Sequence, residues 1–321
     1  MPKPPMLEVL PQRGFRGDVR LLTVAARHPR KRCPLPTPPS NAPTLNSRGL
    51  KPYLATAQAL ADASGAVIRP YFRKAATSNA PFGKGMAVEN KAGPGAFDPV
   101  TAADKAAERI IRKHLAAAHP DHAILGEEYG GALGDSGFTW VIDPIDGTKA
   151  FITGMPLWGT LIGLAHAGQA VLGLMDQPFT GERVWAAGST SQWRLPDGRV
   201  RRMKTRACRR LEDAMLGTTS PDLLAADELA AFQTLKADAR LTRYGGDCYA
   251  YCLVAAGHID LVVECGLKPH DVMALIPIIE QAGGRITTWD GEPAETGGRI
   301  VASGDPHLHD AVLKRLQKAM R

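Results

Sequence analysis

Residues 140–148 read WVIDPIDGT, an apolar run that ends in two acids, Asp143 and Asp146, followed by a glycine and a threonine. The run has the length and the β-branched content of a buried strand. A strand delivers its C-terminal end to the rim of a sheet; there Pro144 fixes one bend and Gly147 relieves crowding at another. Both carboxylates are therefore presented at that rim. Two like charges so close together repel, and a hard divalent cation between them removes the cost, because oxygen ligands suit Mg²⁺. The backbone carbonyl of Ile145 can turn toward the same ion. If Gly147 and Thr148 open a short helix, their free N–H groups form a site for phosphate. The plainer explanation is an Asp-Pro turn with Asp146 as a helix cap.

Other acids shift the balance toward a cation site. GEE places Glu127 and Glu128 at the end of the preceding apolar run, HAIL. DPVTAAD sets Asp98 and Asp104 around a helix start, and KPHDVMAL puts Asp271 at the opening of an otherwise apolar helix, where an ordinary N-cap is the alternative.

Around these residues the pattern predicts a layered α and β protein. Residues 50–72 and 101–120 have apolar positions three and four apart, as in amphipathic helices, the second stopping at Pro120. HAILGEE and FTWVIDPI read as strands, WGTLIGLAHAGQAVLGLMDQP as two strands around a glycine-containing turn, and ERVWAAG and QWRL as the rest of a meander. From about residue 206 helix and strand alternate: a helix near 221–237, a strand at LTRYGG, a helix from Asp247, the strand DLVVEC, one helix through VMALIPIIEQAGG, strands RITTW and RIVASG, and a last helix. The expected organisation is an extension over 1–48, an α+β lobe over 49–205 and an α/β lobe over 206–321.

The formal charge of +7 suggests nucleic acid until it is located. Residues 1–50 hold nine Lys or Arg against Glu8 and Asp18, which leaves thirty of each sign in the rest of the chain. The same stretch carries ten of the 25 prolines and no sustained period, so residues 1–48 are expected to be disordered. Organellar targeting suits it less well than a floppy tail or an over-long gene start, since its only serines are Ser40 and Ser47 and its prolines oppose a long amphipathic helix. No run approaches the roughly 18 apolar residues that cross a bilayer, so a soluble chain is expected, with neither membrane nor nucleic acid as partner. Five cysteines without a CxxC pair fit a reducing compartment, and the cytoplasm is the expected location.

GEE, then WVIDPIDGT, then an aspartate opening an apolar helix that ends in AGG together resemble the inositol monophosphatase family, Mg²⁺-dependent phosphatases with a layered αβαβα sugar-phosphatase fold. The resemblance spans roughly residues 50–318. It implies that Glu127, Asp143, the carbonyl of Ile145, Asp146 and Asp271 hold two or three Mg²⁺ ions, with Mn²⁺ as an alternative. It implies that Thr148, Asp104 and Glu127 hold the water that attacks phosphorus, that Gly147 and Thr148 receive the phosphate, and that the enzyme is a homodimer. Lys91 matches a lysine ahead of the VT..D motif in relatives, or is a solvated loop charge. Asp98 and Glu128 look like supporting neighbours. The absence of a DxDxT/V start, a CxxxxxR loop or an RHG pattern argues against a phospho-enzyme and for direct attack by water.

Three segments, KAFITGMPLWGTLIGL, GGDCYAYC and GLKPHD, look like the histidinol-phosphate phosphatase branch, acting in histidine biosynthesis; an inositol-1-phosphate or broad-range sugar phosphatase is the alternative. Histidinol phosphate carries an ammonium group, so its site needs acids opposite the phosphate end, and Asp247 and Glu264 are the candidates. Asp247 could equally be an N-cap, and the Glu264 position binds hydroxyls in inositol-type relatives. His270 either touches substrate or packs beside the metal loop.

Overall fold

The structure is a computed structural model that describes residues 46–74, 88–90, 99–132 and 137–321. Lys91, Asp98 and the expected extension up to residue 45 lie outside the described residues.

The first helix, α1 (Ser47–Ile68), starts three residues earlier than expected because the side chain of Asn46 accepts the N–H groups of Arg48 and Gly49, each at 3.1 Å. A short antiparallel pair, β1 (Val88–Asn90) and β2 (Pro99–Thr101), leads into α2 (Ala102–Ala118). Eight strands follow: β3 (Ala123–Gly126), β4 (Gly130–Ala132), β5 (Phe138–Asp146), β6 (Gly159–His166), β7 (Gln169–Gln177), β8 (Glu182–Ala187), β9 (Ser191–Arg194) and β10 (Val200–Arg202). They form one sheet in the order β10-β9-β8-β7-β6-β5-β3-β4, parallel only between β3 and β5. A single helical turn, α3 (Thr148–Ile152), joins β5 to β6. The second half holds β11 (Met215–Thr218), α4 (Ala226–Asp238), β12 (Leu241–Tyr244), α5 (Asp247–Ala255), β13 (Leu261–Leu267), α6 (Pro269–Val272), α7 (Leu275–Glu280), β14 (Arg285–Thr288), β15 (Gly298–Ser303) and α8 (Pro306–Ala319). Its five strands run in the order β12-β11-β13-β15-β14.

Alternating side chains sort these elements into layers. Trp140 and Ile142 of β5, with Ile162, Leu164, Leu172 and Leu174 of β6 and β7, pack on Ala57, Leu60, Ile111 and Leu115 of α1 and α2. On the opposite face, Leu161, Met175 and Val184 meet Tyr251, Val254, Leu275 and Ile278 of α5 and α7, whose far side touches Val262, Ile286, Ile300 and Ala302 of the second sheet. The outer face of that sheet is covered by Phe232 and Leu235 of α4 and Leu308, Val312 and Leu316 of α8. The order is helix, sheet, helix, sheet, helix, the layered fold that the resemblance implied.

Two expectations need correction. β1, β2, β4, β10 and β11 were not foreseen, because three or four residues carry too little periodicity to be read. The single helix expected after Asp271 is two, α6 and α7. Pro277 has no N–H to give the Met273 carbonyl, and the helix is interrupted at that turn. The junction matters for the site, because it lies directly on the first sheet. A Cβ on Gly173 of β7 would sit 1.8 Å from the Ala274 carbonyl oxygen, so only glycine there admits the close approach that carries Asp271 to β5. Among the described residues no helix is long and apolar enough to cross a membrane.

Candidate metal and phosphate site

In a regular strand Asp143 and Asp146, three apart, would point to opposite faces. The register with β6 shifts between them, Asp143 opposite Leu161 but Asp146 opposite Gly159, so β5 carries one extra residue. Such a bulge re-aims the side chains that follow it. Val141 faces the middle helices and Asp143 keeps that direction, whereas Ile145 turns to the outer face and packs with Ile68, Ala107, Phe151 and Trp158. Asp146 is thereby returned to the side of Asp143. The Ile145 N–H donates to Asp143 Oδ1 at 3.0 Å and locks the kink, and the Thr160 hydroxyl donates to the Pro144 carbonyl at 2.8 Å.

The remaining acids arrive from other elements. Carboxylate oxygens of Asp143, Asp146 and Asp271 lie within 4.8 Å of one another, and so do ligand atoms of Glu127, Asp143 and His270. Glu127 continues β3 by donating its N–H to the Ile142 carbonyl at 3.1 Å. The turn beyond it is fixed by Glu108 of α2, buried, which accepts the N–H groups of Glu128 at 2.8 Å and Tyr129 at 3.2 Å. Glu128 thus contributes its backbone to that turn. Asp271 sits in the first turn of α6, where Oδ2 accepts the Lys268 N–H at 2.6 Å. Asp271 is therefore not the N-cap, which is Lys268; it is the third residue of α6, bonds back to the cap and also converges with the other acids.

Asp104 closes the cluster on the α2 side. Its Oδ2 is bonded by the backbone N–H and hydroxyl of Thr101, while Oδ1 is buried without a hydrogen-bond partner among the described residues. Burial, opposed by the Thr101 bonds and assisted by the Glu127 charge, pushes its carboxyl up to about 6. Thr148 is half-buried and its hydroxyl donates to the Ile145 carbonyl at 3.2 Å. Gly147 stands at the N-cap of α3 with φ of +84°, a left-handed conformation that favours glycine. A Cβ at that position would lie 3.0 Å from the Leu157 carbonyl oxygen and 3.2 Å from Asp247, so the glycine also keeps Asp247 close.

Asp247 and Glu264 form the other end of the site. Glu264 ends the inward face of β13; its Oε1 accepts the Thr219 N–H at 2.8 Å and hydroxyl at 2.6 Å, and its Oε2 accepts the Tyr251 hydroxyl at 2.9 Å. Burial raises its carboxyl and those three bonds oppose the rise. Asp247 is not the N-cap of α5; Gly246 is, and Asp247 takes the first helical position with φ of +43°. A non-glycine residue held in that region stores strain of order 1–3 kcal/mol, a feature that clusters at functional sites. Burial and the Glu264 charge push Asp247 up to about 7 against the pull of Lys149.

The acids raise one another. Burial, then the charges of Glu127, Asp146 and Asp271, lift Asp143 well above the usual carboxylate range. Asp146 is lifted by burial, Asp247 and Asp271, although the Cys248 N–H donates to its Oδ2 at 2.7 Å. Asp271 is pushed up to about 7 by burial and by the charges of Glu127 and Glu264, against the Lys268 N–H. Among the described residues no lysine or arginine forms a salt bridge with Asp143, Asp146 or Asp271. An oxygen-rich donor set with a buried, unpartnered acceptor beside it suits a hard divalent cation, so the residues present fit the ions that the resemblance implied.

Sequence reasoning missed the residues that hold these acids: Thr219, Tyr251, Glu108 and the backbone of Cys248. Each is brought in by tertiary packing and carries no local signal. His270 was left open; it is buried, with Nε2 at 3.5 Å from Asp271 Oδ1.

Known proteins share this arrangement of elements. The family model for the inositol monophosphatase family matches residues 50–321. The chloroplastic bifunctional phosphatase IMPL2 of Arabidopsis thaliana is 40% identical over 284 residues, covering 85% of this chain and 77% of its own. The histidinol-phosphatase of Mycobacterium tuberculosis is 38% identical over 220 residues, 68% of this chain and 84% of its own. Among solved structures, an inositol monophosphatase from Zymomonas mobilis has a TM-score of 0.71 at 38% identity, over 84% of this chain and 98% of that one. Family members are metal-dependent phosphatases, and the chain belongs to the inositol monophosphatase family.

Proposed function

We propose that this phosphatase hydrolyses L-histidinol phosphate to L-histidinol and phosphate. The observation that carries the substrate is the pair of acids, half-buried Asp247 and buried Glu264, with Asp247 against Gly147 beside the metal cluster. Two carboxylates held together that strongly attract a proton also attract an ammonium group, and histidinol phosphate carries one on the carbon next to its ester-bearing methylene. The histidinol-phosphatase among the relatives supports the same reading.

In this reading Glu127, Asp143, the Ile145 carbonyl, Asp146 and Asp271 hold the divalent cations, expected to be Mg²⁺. Bound there, the ions neutralise the ester oxygens and bring the pKa of water toward neutrality. The chain's own groups do the positioning. The N–H groups of Gly147 and Thr148 precede the first bond of α3, from the Phe151 N–H to the Gly147 carbonyl at 3.0 Å, and point at the phosphate. The Thr148 hydroxyl, with Glu127 and the free Oδ1 of Asp104, orients the attacking water; Asp104, at about 6, is ionised at neutral pH and can accept its proton. Water attacks phosphorus in line and the alcohol leaves.

A second reading, hydrolysis of an inositol monophosphate, is favoured by the likeness to the Zymomonas mobilis inositol monophosphatase, because Asp247 and Glu264 can also accept hydrogen bonds from hydroxyls. Phosphate release from L-histidinol phosphate and inositol-1-phosphate separates the two. Wild type should prefer the first, and Asp247→Ala should lower kcat/KM on it by about 10–100-fold, the worth of a charge-assisted contact, with less than about threefold loss on inositol-1-phosphate. Equal losses on both substrates would remove the ammonium contact.

A further inference from the structure

His270 is the one member of the carboxylate cluster that is not an oxygen ligand. We propose that it supplies a ring nitrogen to the cation held by Glu127 and Asp143, so that this centre favours borderline ions such as Mn²⁺ more than an all-oxygen centre does. The inference rests on the cation reading of the site and adds a ligand to it.

Three observations carry it. A ring nitrogen of His270 lies with the oxygens of Glu127 and Asp143 inside a 4.8 Å group, and Nε2 is 3.5 Å from Asp271 Oδ1. The imidazole nitrogens therefore face three acids, an arrangement that favours a proton or a cation among them. Second, the ring is held in place: Pro269 starts α6, the Lys268 N–H fixes Asp271 behind it, and the Met273 N–H donates to the Pro269 carbonyl at 2.9 Å, leaving His270 8% exposed. Ligands that bind metal well are fixed before the ion arrives. Third, Oδ1 of Asp104 is buried without a hydrogen-bond partner among the described residues, and its carboxylate lies close enough to Glu127 to feel that charge, so the cluster holds an unmet acceptor.

The chemistry follows from donor type. Mg²⁺ strongly prefers oxygen and gives up water reluctantly, whereas imidazole suits the later first-row ions. Replacing one water or carboxylate oxygen by a neutral imidazole strengthens Mn²⁺ binding relative to Mg²⁺. It leaves the net charge of the donor set one unit less negative than another carboxylate would.

The test reads the ligand atom directly. Full-length protein stripped of metal is titrated with Mn²⁺ and examined by electron spin-echo envelope modulation, which detects a coordinated ¹⁴N. Wild type should show imidazole-nitrogen modulation; His270→Gln and His270→Ala should lose it and bind Mn²⁺ at least about tenfold more weakly, with Mg²⁺ affinity changed less than about threefold. Circular dichroism checks that both variants are folded, and the wild-type spectrum decides alone if they are not. Bound Mn²⁺ without nitrogen modulation in wild type, or modulation that survives in both variants, overturns the assignment and leaves the family reading intact. No Mn²⁺ or Mg²⁺ binding at all would overturn both.

Discussion

The first sheet carries a buried cluster of charge on each face, and the two are built on opposite plans. On the outer face Asp176 of β7 meets Arg183 of β8: Nε donates to Asp176 Oδ1 at 2.6 Å, one terminal nitrogen reaches Asp62 of α1 at 2.8 Å and the other reaches Gln58 Oε1 at 2.7 Å. Burial pulls the Arg183 pKa down, but the bond and charge of Asp176, with Asp62, more than offset it and keep the guanidinium charged. Every charge there has an opposite partner. On the inner face Glu127, Asp143, Asp146 and Asp271 converge, and acidic neighbours push Asp143, Asp146 and Asp271 up. A buried pair with complete bonding is structure; buried acids without counter-charge destabilise the fold and persist where a ligand supplies the missing charge.

The largest effects separate the two faces by what fails. Asp143→Asn should lower turnover at saturating Mg²⁺ by about a thousandfold or more, because a ligand's charge is lost, yet the amide oxygen can still accept the Ile145 N–H. Without divalent ions this variant should melt at or above the wild-type temperature. Near-normal turnover would take Asp143 out of the site. Arg183→Met should do the reverse. It leaves Asp176 buried without its partner and should cost about 3–5 kcal/mol of stability, with kcat per folded molecule nearly unchanged. Denaturant unfolding measures this, and a loss below about 1 kcal/mol would show that the outer cluster is not the compensated pair described.

How far the inner cluster could be read from the sequence depends on the range of each interaction. Asp143, Asp146, Gly147 and Thr148 were legible because strand, bend and turn lie within nine residues and each obeys a local rule. The layered order and most strands were legible through period. The bulge that puts both aspartates on one face was not, since it is a property of the β5–β6 register. Thr219 follows β11, a four-residue strand with no alternation, so the group that holds Glu264 had no visible element to stand on. Asp247 was visible as a helix-start acid, but its positive φ and its displacement from the cap come from the packing of Gly147 against it. The break between α6 and α7 had a local cause, Pro277, that the apolar run obscured.

The smallest predicted effect distinguishes the two clusters without mutation. Asp247 and Asp271, about 7 when folded against 3.8 as the ordinary value, hold more protons in the folded chain than in the unfolded one, so stability falls as pH rises from about 4 through 7. Asp143 and Asp146, raised well above the usual carboxylate range by burial, act in the same direction. His309 works in the other direction: burial first, then Arg285, hold it down to about 4, so its contribution is complete above about 6.5 and lost as pH falls toward 4. Above pH 7 His309 contributes no slope and Arg183 does not titrate, which leaves the inner acids together with buried thiols such as Cys248 and Cys252, whose pKa burial also raises. The metal-free melting temperature should therefore drop by about 5 °C between pH 7 and 8.5, and saturating Mg²⁺ should flatten the drop, because the cation stabilises the ionised acids that raised pH creates. A metal-free melting temperature that is flat or rising over that interval would mean that these carboxylates already have their counter-charge within the protein, and the contrast between the two faces would disappear.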